Sequence, residues 1–536
     1  MGLNDVVIIP SQNGLGRGLP GQDYISGMMF YCDTVLSGFA SSNIQQVLSV
    51  AQAEALGILD DYSDEVEAFG IVTISGAGSA GDVVSIYVQE PVNNVLLGSY
   101  TVKVGDTAQL IAAGLVQACA VRRNTTGYDV SWPSSSIHIA INARAGLGLF
   151  LNSGTPISTT IVGSVSTTIT QFAGGKPSFL AQWHYHIAEY FRIQPSGSLF
   201  VGFFPVTGQT WDFAEVTDMQ VAANGAIRQV GLYLGSPSGD GTDPSISELI
   251  ASDFGMTTVE VIPAIADLLQ AKATSLASLH TPLITIFATD LAGLTSPDTF
   301  TALTTLKDLT THADNRVSVT ISQDGAGLGA AIFAAQGTSI TDIGAILGAV
   351  SLSAVSQSIA WVGGFNLTNG VELATPAYAN GRLVNEVADQ TLQLQLQNFA
   401  YIFLRTYQGV SGTFAQNNSC AIKPSSDYAY INDNRTWDKA SRLLYSALIP
   451  VLSQSITLNA DGTLSATDIA YITSLATTSL DTMSRAKPQE LSAFKVIIDP
   501  AQNLLQTGTL IVTVQLLPEA IARNIVVNLG FVSSIS

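Results

Sequence analysis

Asp290 and Asp324 each follow an apolar, β-branched run, PLITIFATD and RVSVTISQD, the position where α/β enzymes keep carboxylates for metal binding or acid–base work. No Lys, His or Ser partner is legible near either, and Asp is also a common cap where a strand turns into a helix. GAGSAG (76–81) has dinucleotide-loop spacing, but DVVSIYV follows it as a strand where that loop requires a helix, so a hairpin turn is expected. GAGLGA (325–330) leaves RVSVTIS for a small-residue helical stretch where backbone amides could meet a phosphate. No acidic strand end follows it; Asp342 sits in TDIG, which reads as a helix start, and a glycine loop without ligand is the expectation. TLNADGTLSATD (457–468) overlaps a calcium loop through Asn459, Asp461, Gly462 and Asp468, but Thr457 replaces the first carboxylate and Asp468 stands where Glu normally chelates. An Asp-Gly turn is expected there. His184 and His186 in WHYH could share one face of a strand and bind metal, yet no third ligand is near, and half-buried aromatic packing is the plainer reading. GxxxxGK[ST], HExxH and GxSxG do not occur, and no cofactor is expected.

The elements that must position these residues belong to a long, weakly charged chain. Its 536 residues are long enough for about three domains. Against 21 basic side chains stand 41 acidic ones, and a formal charge of -20 disfavours broad contact with nucleic acid. Only 12% of residues are charged, so much of the polar surface is hydroxyl and amide, as in proteins covered by neighbours. Cys32, Cys119 and Cys420 have no disulfide or zinc spacing and fit a reducing compartment. MGLNDVVIIP carries no export signal, Val6 stands where a myristoylation signal wants Ser or Thr, and no long apolar run occurs. A soluble, unsecreted product without direct membrane insertion is expected.

The pattern predicts a multidomain α/β (α+β mixed) fold. Residues 1–20 read as an arm, with an extended run at Val6, Val7, Ile8 and Ile9 before a Gly/Pro hinge. Residues 21–69 begin the core, with a helical stretch from about Ser42 to Leu59. From 70 to 175 the texture is β-rich, GIVTIS, DVVSIYVQE, GSYTVKV, SIHIAINA and STTIVGSVSTTIT, and predicts a small β-sandwich. One helix interrupts it, with Asp106 as cap and Ile111, Leu115 and Cys119 on one face. Residues 176–400 alternate strands and helices, and QVGLYL, PLITIFATD, RVSVTISQD and SIAWVGGF imply a largely parallel sheet. A crossover helix capped at Ser296 and Pro297 would bury Phe300, Leu303, Leu306 and Leu309. Residues 401–505 carry two helical stretches and a turn. Residues 506–536 carry two alternating strands, one with Leu510, Val512 and Val514, the other with Ile525, Val527, Leu529 and Phe531.

The final stretch resembles the carboxyl-terminal domain of contractile tail sheath proteins. Arg435 and Thr436 open the first helix, Leu448 to Pro450 close it, Asp461 and Gly462 make the turn, and Met483 lies near the end of the second helix. LLPEAIARNIVVNLGF, with Pro518 and Arg523, is similar to the family's ending, and the β-rich segment looks like a domain inserted in some phage tail proteins. The resemblance implies a structural, non-enzymatic subunit that polymerises into a helical sleeve of stacked rings around an inner tube and contracts to drive the tube through a target envelope. It also implies terminal arms that add strands to neighbouring copies, an outward β domain, and a carboxyl-terminal domain facing the tube. Baseplate and tail-terminator proteins would be further partners, in a virion tail or injection-system particle assembled in the bacterial cytoplasm. The competing readings are an α/β enzyme using Asp290 and Asp324, and a non-contractile, adhesin-like surface protein.

Overall fold

The long, uninterrupted apolar strands of the middle of the chain are those of a sheet covered on both faces. The computed structural model describes residues 22–60, 66–90, 94–132, 136–144, 154–175, 180–235, 244–291, 302–336, 339–386, 390–527 and 529–531. They form two units, one within residues 24–352 and 359–429, the other of residues 22–23, 353–358 and the described residues from 430 to 531.

In the larger unit a seven-stranded sheet runs in the order Tyr401–Ile402, Val317–Thr320, Ile284–Ala288, Gln229–Tyr233, Ile25–Cys32, Ser198–Pro205, Ile44–Val47. All its pairs are parallel except the last, where Ile44–Val47 runs antiparallel as an edge. Ile25–Cys32, Gln229–Tyr233, Ile284–Ala288 and Val317–Thr320 are buried along their whole lengths. On one face Val230, Leu232 and Phe287 meet the helices Glu215–Ala222, Ile246–Phe254 and Val261–Ser278 in a single apolar cluster. On the other, Phe30 packs against Phe203 and Trp183, and Leu180–Ile193 lies along Ile343–Leu352. Those two helices approach closely because Gly344 and Gly348 face backbone: a Cβ on Gly344 would stand 2.3 Å from the His186 carbonyl oxygen.

Around the parallel sheet several expectations fail. Residues 42–59 are not one helix; Ile44–Val47 is the edge strand, and Ser49 caps a short helix, Val50–Ala55, by accepting from the Gln52 amide. SIAWVGGF forms turns, with the Trp361 carbonyl accepting from the Gly364 and Phe365 amides, and Tyr401–Ile402 takes the sheet position expected for it. The domain boundary placed at 401 therefore falls within the larger unit. Leu303, Leu306 and Leu309 are buried, while Ser296, Pro297 and Phe300 lie outside the described residues.

Residues 66–175 build two facing sheets, one of Asp129–Ser131, His138–Asn142, Phe69–Ser75 and Ser166–Ala173, the other of Asn94–Thr101, Val83–Gln89 and Ile157–Val162. Alternate residues of both, Val72, Ile74, Val84, Ile86, Ile139 and Ile141, share one core with Ile111, Leu115 and Cys119 of the helix Ala108–Thr126. Thr107, not Asp106, caps that helix; Asp106 instead accepts from the Lys103 amide and the Tyr100 hydroxyl. Gly98 admits the helix, because a Cβ there would meet Cys119 Sγ at 2.7 Å. GAGSAG is not a hairpin turn. The strands on either side of it belong to different sheets, so the loop crosses the sandwich, and Asp82 holds it by accepting from the Ser79 and Ser164 amides.

Leu115→Ala, which empties the space between helix and sheets, is expected to cost about 2–5 kcal/mol. Urea unfolding followed by hydrogen exchange should place the loss in residues 66–175 and leave the parallel sheet protected.

Candidate assembly site

The smaller unit is organised by an unusual helix. Ile431–Leu448 buries Asn432, Asn434, Arg435, Thr436, Asp438 and Lys439, so its inward face is largely polar and must be paired. Arg435, Lys439 and Arg442 recur at helical spacing and converge on one side. Lys439 Nζ lies 2.7 Å from Asp23 Oδ2 and 2.6 Å from Glu490 Oε1, and Arg442 Nη2 lies 2.8 Å from Asp23 Oδ1. Arg435, 3% exposed, donates to the Ser353 carbonyl at 3.2 Å, to Ser353 Oγ at 2.7 Å and to the Asp23 carbonyl at 3.3 Å. Thr436 Oγ1 donates to the Val355 carbonyl, and Ser356 Oγ to that of Gln489. Three distant pieces of sequence, 22–23, 353–358 and 430–536, are thus held together by one helix.

Burial alone would raise Asp23, but Lys439, Arg442 and Arg435 outweigh it and hold its carboxyl below the usual range. Glu490 goes the other way: burial raises it, and Lys439 offsets this only in part. The difference follows from the number of cations each carboxylate meets. Burial pushes Arg435 down to about 10, which leaves it charged at neutral pH.

The rest of the unit is a helix, Ala466–Ser484, and a hairpin of Leu491–Ile497 with Thr513–Pro518. Val355, Ala440, Leu443, Leu480, Met483 and Leu491 form its core, with Val514 and Leu516 packed on it. Leu510 and Val512 pack on a second cluster around Leu464 and Ile472, outside any strand. Val514, expected on an arm strand, lies opposite Val496 inside the chain's own hairpin. Pro450 sits in the turn Ile449–Val451 after the first helix. At the Asp461-Gly462 turn, Asp461 Oδ1 accepts from the Thr463 amide and hydroxyl, and Gly462 has φ 85°. Asp468 accepts from the Thr457 amide and Asn459 donates its side-chain amide to Thr463, so the calcium-loop overlap is spent on turn hydrogen bonds.

Beyond Pro518 the chain forms no strand among the described residues, although the alternating run at 525–531 was expected to form one. Arg523 lies over the Tyr430 ring at 3.3 Å and 3.4 Å from Asn432 Oδ1, and pins the start of the tail. Past that anchor, Ile525, Val527, Leu529 and Phe531 are 76% to 109% exposed. Val6, Val7, Ile8 and Ile9 lie outside the described residues.

The enzyme-like candidates of the larger unit are drawn into its architecture. Asp290 and Asp324 are both buried. Asp324 Oδ1 accepts from the Ala326 amide, and both oxygens of Glu372 accept from the Leu328 amide at 3.0 and 3.1 Å. The chain's own carboxylates therefore occupy the place in GAGLGA where a phosphate would bind. Asp342 is buried and accepts from Thr320 Oγ1. WHYH lies on the helix Leu180–Ile193, not a strand, so His184 and His186 diverge: His184 meets Glu54, and His186 is buried among Phe30, Tyr185 and Tyr233. Burial lowers His186 to about 3, so it stays neutral.

A multidomain α/β chain with an exposed apolar segment at residues 525–531 is the class these features define. The sequence matches the model of the DUF2586 N-terminal domain over residues 246–419 and that of the DUF2586 C-terminal domain over residues 427–536. Together the two span more than half of the chain, which belongs to the DUF2586 family. No curated protein matches it. Among solved structures it is similar to the helical sheath of the anti-feeding prophage in its contracted state, at 14% identity, covering 67% of this chain and 84% of that one with a TM-score of 0.43. It is similar to the contracted PVC sheath complex of an extracellular contractile injection system at 13% identity, covering 65% and 80% with a TM-score of 0.39. It is also similar to a sheath tail protein from Desulfitobacterium hafniense at 10% identity, covering 92% and 94% with a TM-score of 0.33.

Sequence reasoning singled out Arg435 and Thr436 as part of a family-like motif and did not name Asp23, Lys439, Arg442 or Glu490; the helical spacing of the three cations was the available signal. Arg435→Ala is expected to cost about 3–5 kcal/mol, since it strands buried polar partners, and Arg435→Lys to restore less than half, a point charge lacking the guanidinium fork. The urea midpoint and exchange protection across 431–448 check this. The folded pKa of Asp23 lies below its unfolded value of about 3.9, so its contribution is complete above about pH 4 and lost as pH falls through the folded value. Asp23→Asn should flatten that acid limb in urea midpoints measured against pH.

Proposed function

We propose that this chain is the structural subunit of a contractile tail sheath, polymerising around an inner tube and driving it through a target envelope on contraction. The observation that carries this reading is the tail. Ile525, Val527, Leu529 and Phe531 alternate like a half-buried strand, yet nothing among the described residues covers them. An exposed apolar segment with unpaired backbone invites aggregation unless a partner supplies the missing strand. A head-to-tail homopolymer supplies one at every subunit, through the same surface each time.

The neighbouring hairpin is suited to receive such a strand. Leu491–Ile497 and Thr513–Pro518 form a two-stranded sheet whose outer edges carry no further strand among the described residues. Arg523 fixes where the tail departs, and Asp23 is held by Lys439 and Arg442. Both anchors rest on the first helix or its start. The sheath-like pattern at Arg435, Thr436, Pro450, Asp461, Gly462, Pro518 and Arg523 supports the same reading. The inner tube, baseplate and tail-terminator proteins are the partners it implies, in a phage tail or injection-system particle. A structural rather than enzymatic role is favoured by Asp324, which is hydrogen-bonded within its own loop. No helix among the described residues is long and apolar enough to cross a membrane.

Negative-stain microscopy of the purified full chain, alone or coexpressed with a tube protein, is expected to show hollow ribbed tubes. Chains lacking residues 524–536, or residues 1–18, should keep their circular dichroism but remain dispersed. Tubes from both truncated chains would remove the arm assignment. Dispersed wild-type chains in every mixture would remove the sheath reading.

A further inference from the structure

A cluster of side chains unrelated to the tail lies in the larger unit. The helix Val261–Ser278 carries Asp267, the turn Leu309–Thr311 delivers His312, and the strand Ala313–Asp314, paired with Ala421–Ile422, delivers Asp314. His312 Nδ1 is 2.9 Å from Asp267 Oδ1 and 4.0 Å from Asp314 Oδ2, and one donor atom from each residue lies within 4.8 Å of the others.

The frame holding them is rigid. Gln270, one turn along the helix from Asp267, accepts from the Arg316 amide and donates to Asn315 Oδ1, both at 2.8 Å. Asp308 caps the turn by accepting from the Thr310 amide at 2.9 Å. Against this frame Asp314 is 4% exposed, and its Oδ2, the oxygen nearest His312, has no hydrogen-bond donor. A buried carboxylate oxygen with nothing donating to it is unfavourable unless a cation or proton satisfies it.

We propose that Asp267, His312 and Asp314 bind a divalent transition-metal cation such as Zn²⁺. An imidazole with two carboxylates suits zinc or manganese, whereas magnesium and calcium favour all-oxygen shells. Three protein donors leave a coordination position open, and Asp267 and His312 are partly exposed, so the cation enters from solvent. Bound there, it clamps the strand Ala313–Asp314 to the helix Val261–Ser278. A proton is the competing occupant, because burial and the facing Asp267 push the Asp314 carboxyl up to about 7. The site is independent of the sheath reading, since none of its residues belongs to the tail or its anchors.

Isothermal titration of the chelator-stripped full chain with ZnCl₂, and separately with MgCl₂, tests the site. One equivalent of Zn²⁺ should bind, with Mg²⁺ much weaker. Asp314→Asn and His312→Gln should each weaken Zn²⁺ by more than about ten-fold, the loss that even an outer-shell partner produces. Asp267→Asn, at an exposed helix position, gives the same comparison if Asp314→Asn fails to fold. No Zn²⁺ uptake, meaning a shared proton alone, would overturn the proposal. So would wild-type affinity in the variants, which would place the metal on other histidines.

Discussion

Asp23 accepts from Arg442 and Lys439 through its two carboxylate oxygens and offers its carbonyl to Arg435. Removing these charges from water is costly, and the cost is met only because every cation finds an acceptor from a different part of the chain. The smaller unit depends on this arrangement. Asp23, the 353–358 segment and the described residues from 430 onward fold around one helix whose inward face is polar. An apolar replacement could pack as tightly, but it would not tie those segments in one register.

The start of the same helix region anchors the tail. Tyr430, which precedes the helix, receives Arg523, so the chain is held up to that point and exposed after it. On the sheath reading, order up to the anchor and exposure beyond it let a neighbour capture the tail while the unit stays folded.

In the larger unit Asp324, which looks catalytic in sequence, accepts from the Ala326 amide. The Leu328 amide of the glycine loop is filled by Glu372, a residue 44 positions away. In the β segment, Asp82 likewise binds loop amides from two strand connections. Both cases show one economy: acidic side chains serve as turn and cap acceptors, where hydrogen bonds to the charged form are strong.

Alternation in the β segment, the apolar strands of the parallel sheet and the two carboxyl-terminal helices were legible in sequence, because burial on one or two faces writes a period of two, an unbroken apolar run, or helical spacing. Sequence by itself also determined that residues 525–531 alternate apolar side chains. Tertiary structure alone decided that GAGSAG crosses between sheets, that Tyr401–Ile402 rather than SIAWVGGF completes the parallel run, and that WHYH is helical. It alone brought Asp23 and Glu490 to Lys439, and Asp267 to His312 and Asp314. The physical reason is that such pairings join residues far apart in the chain, and no local pattern records which buried charge will meet which.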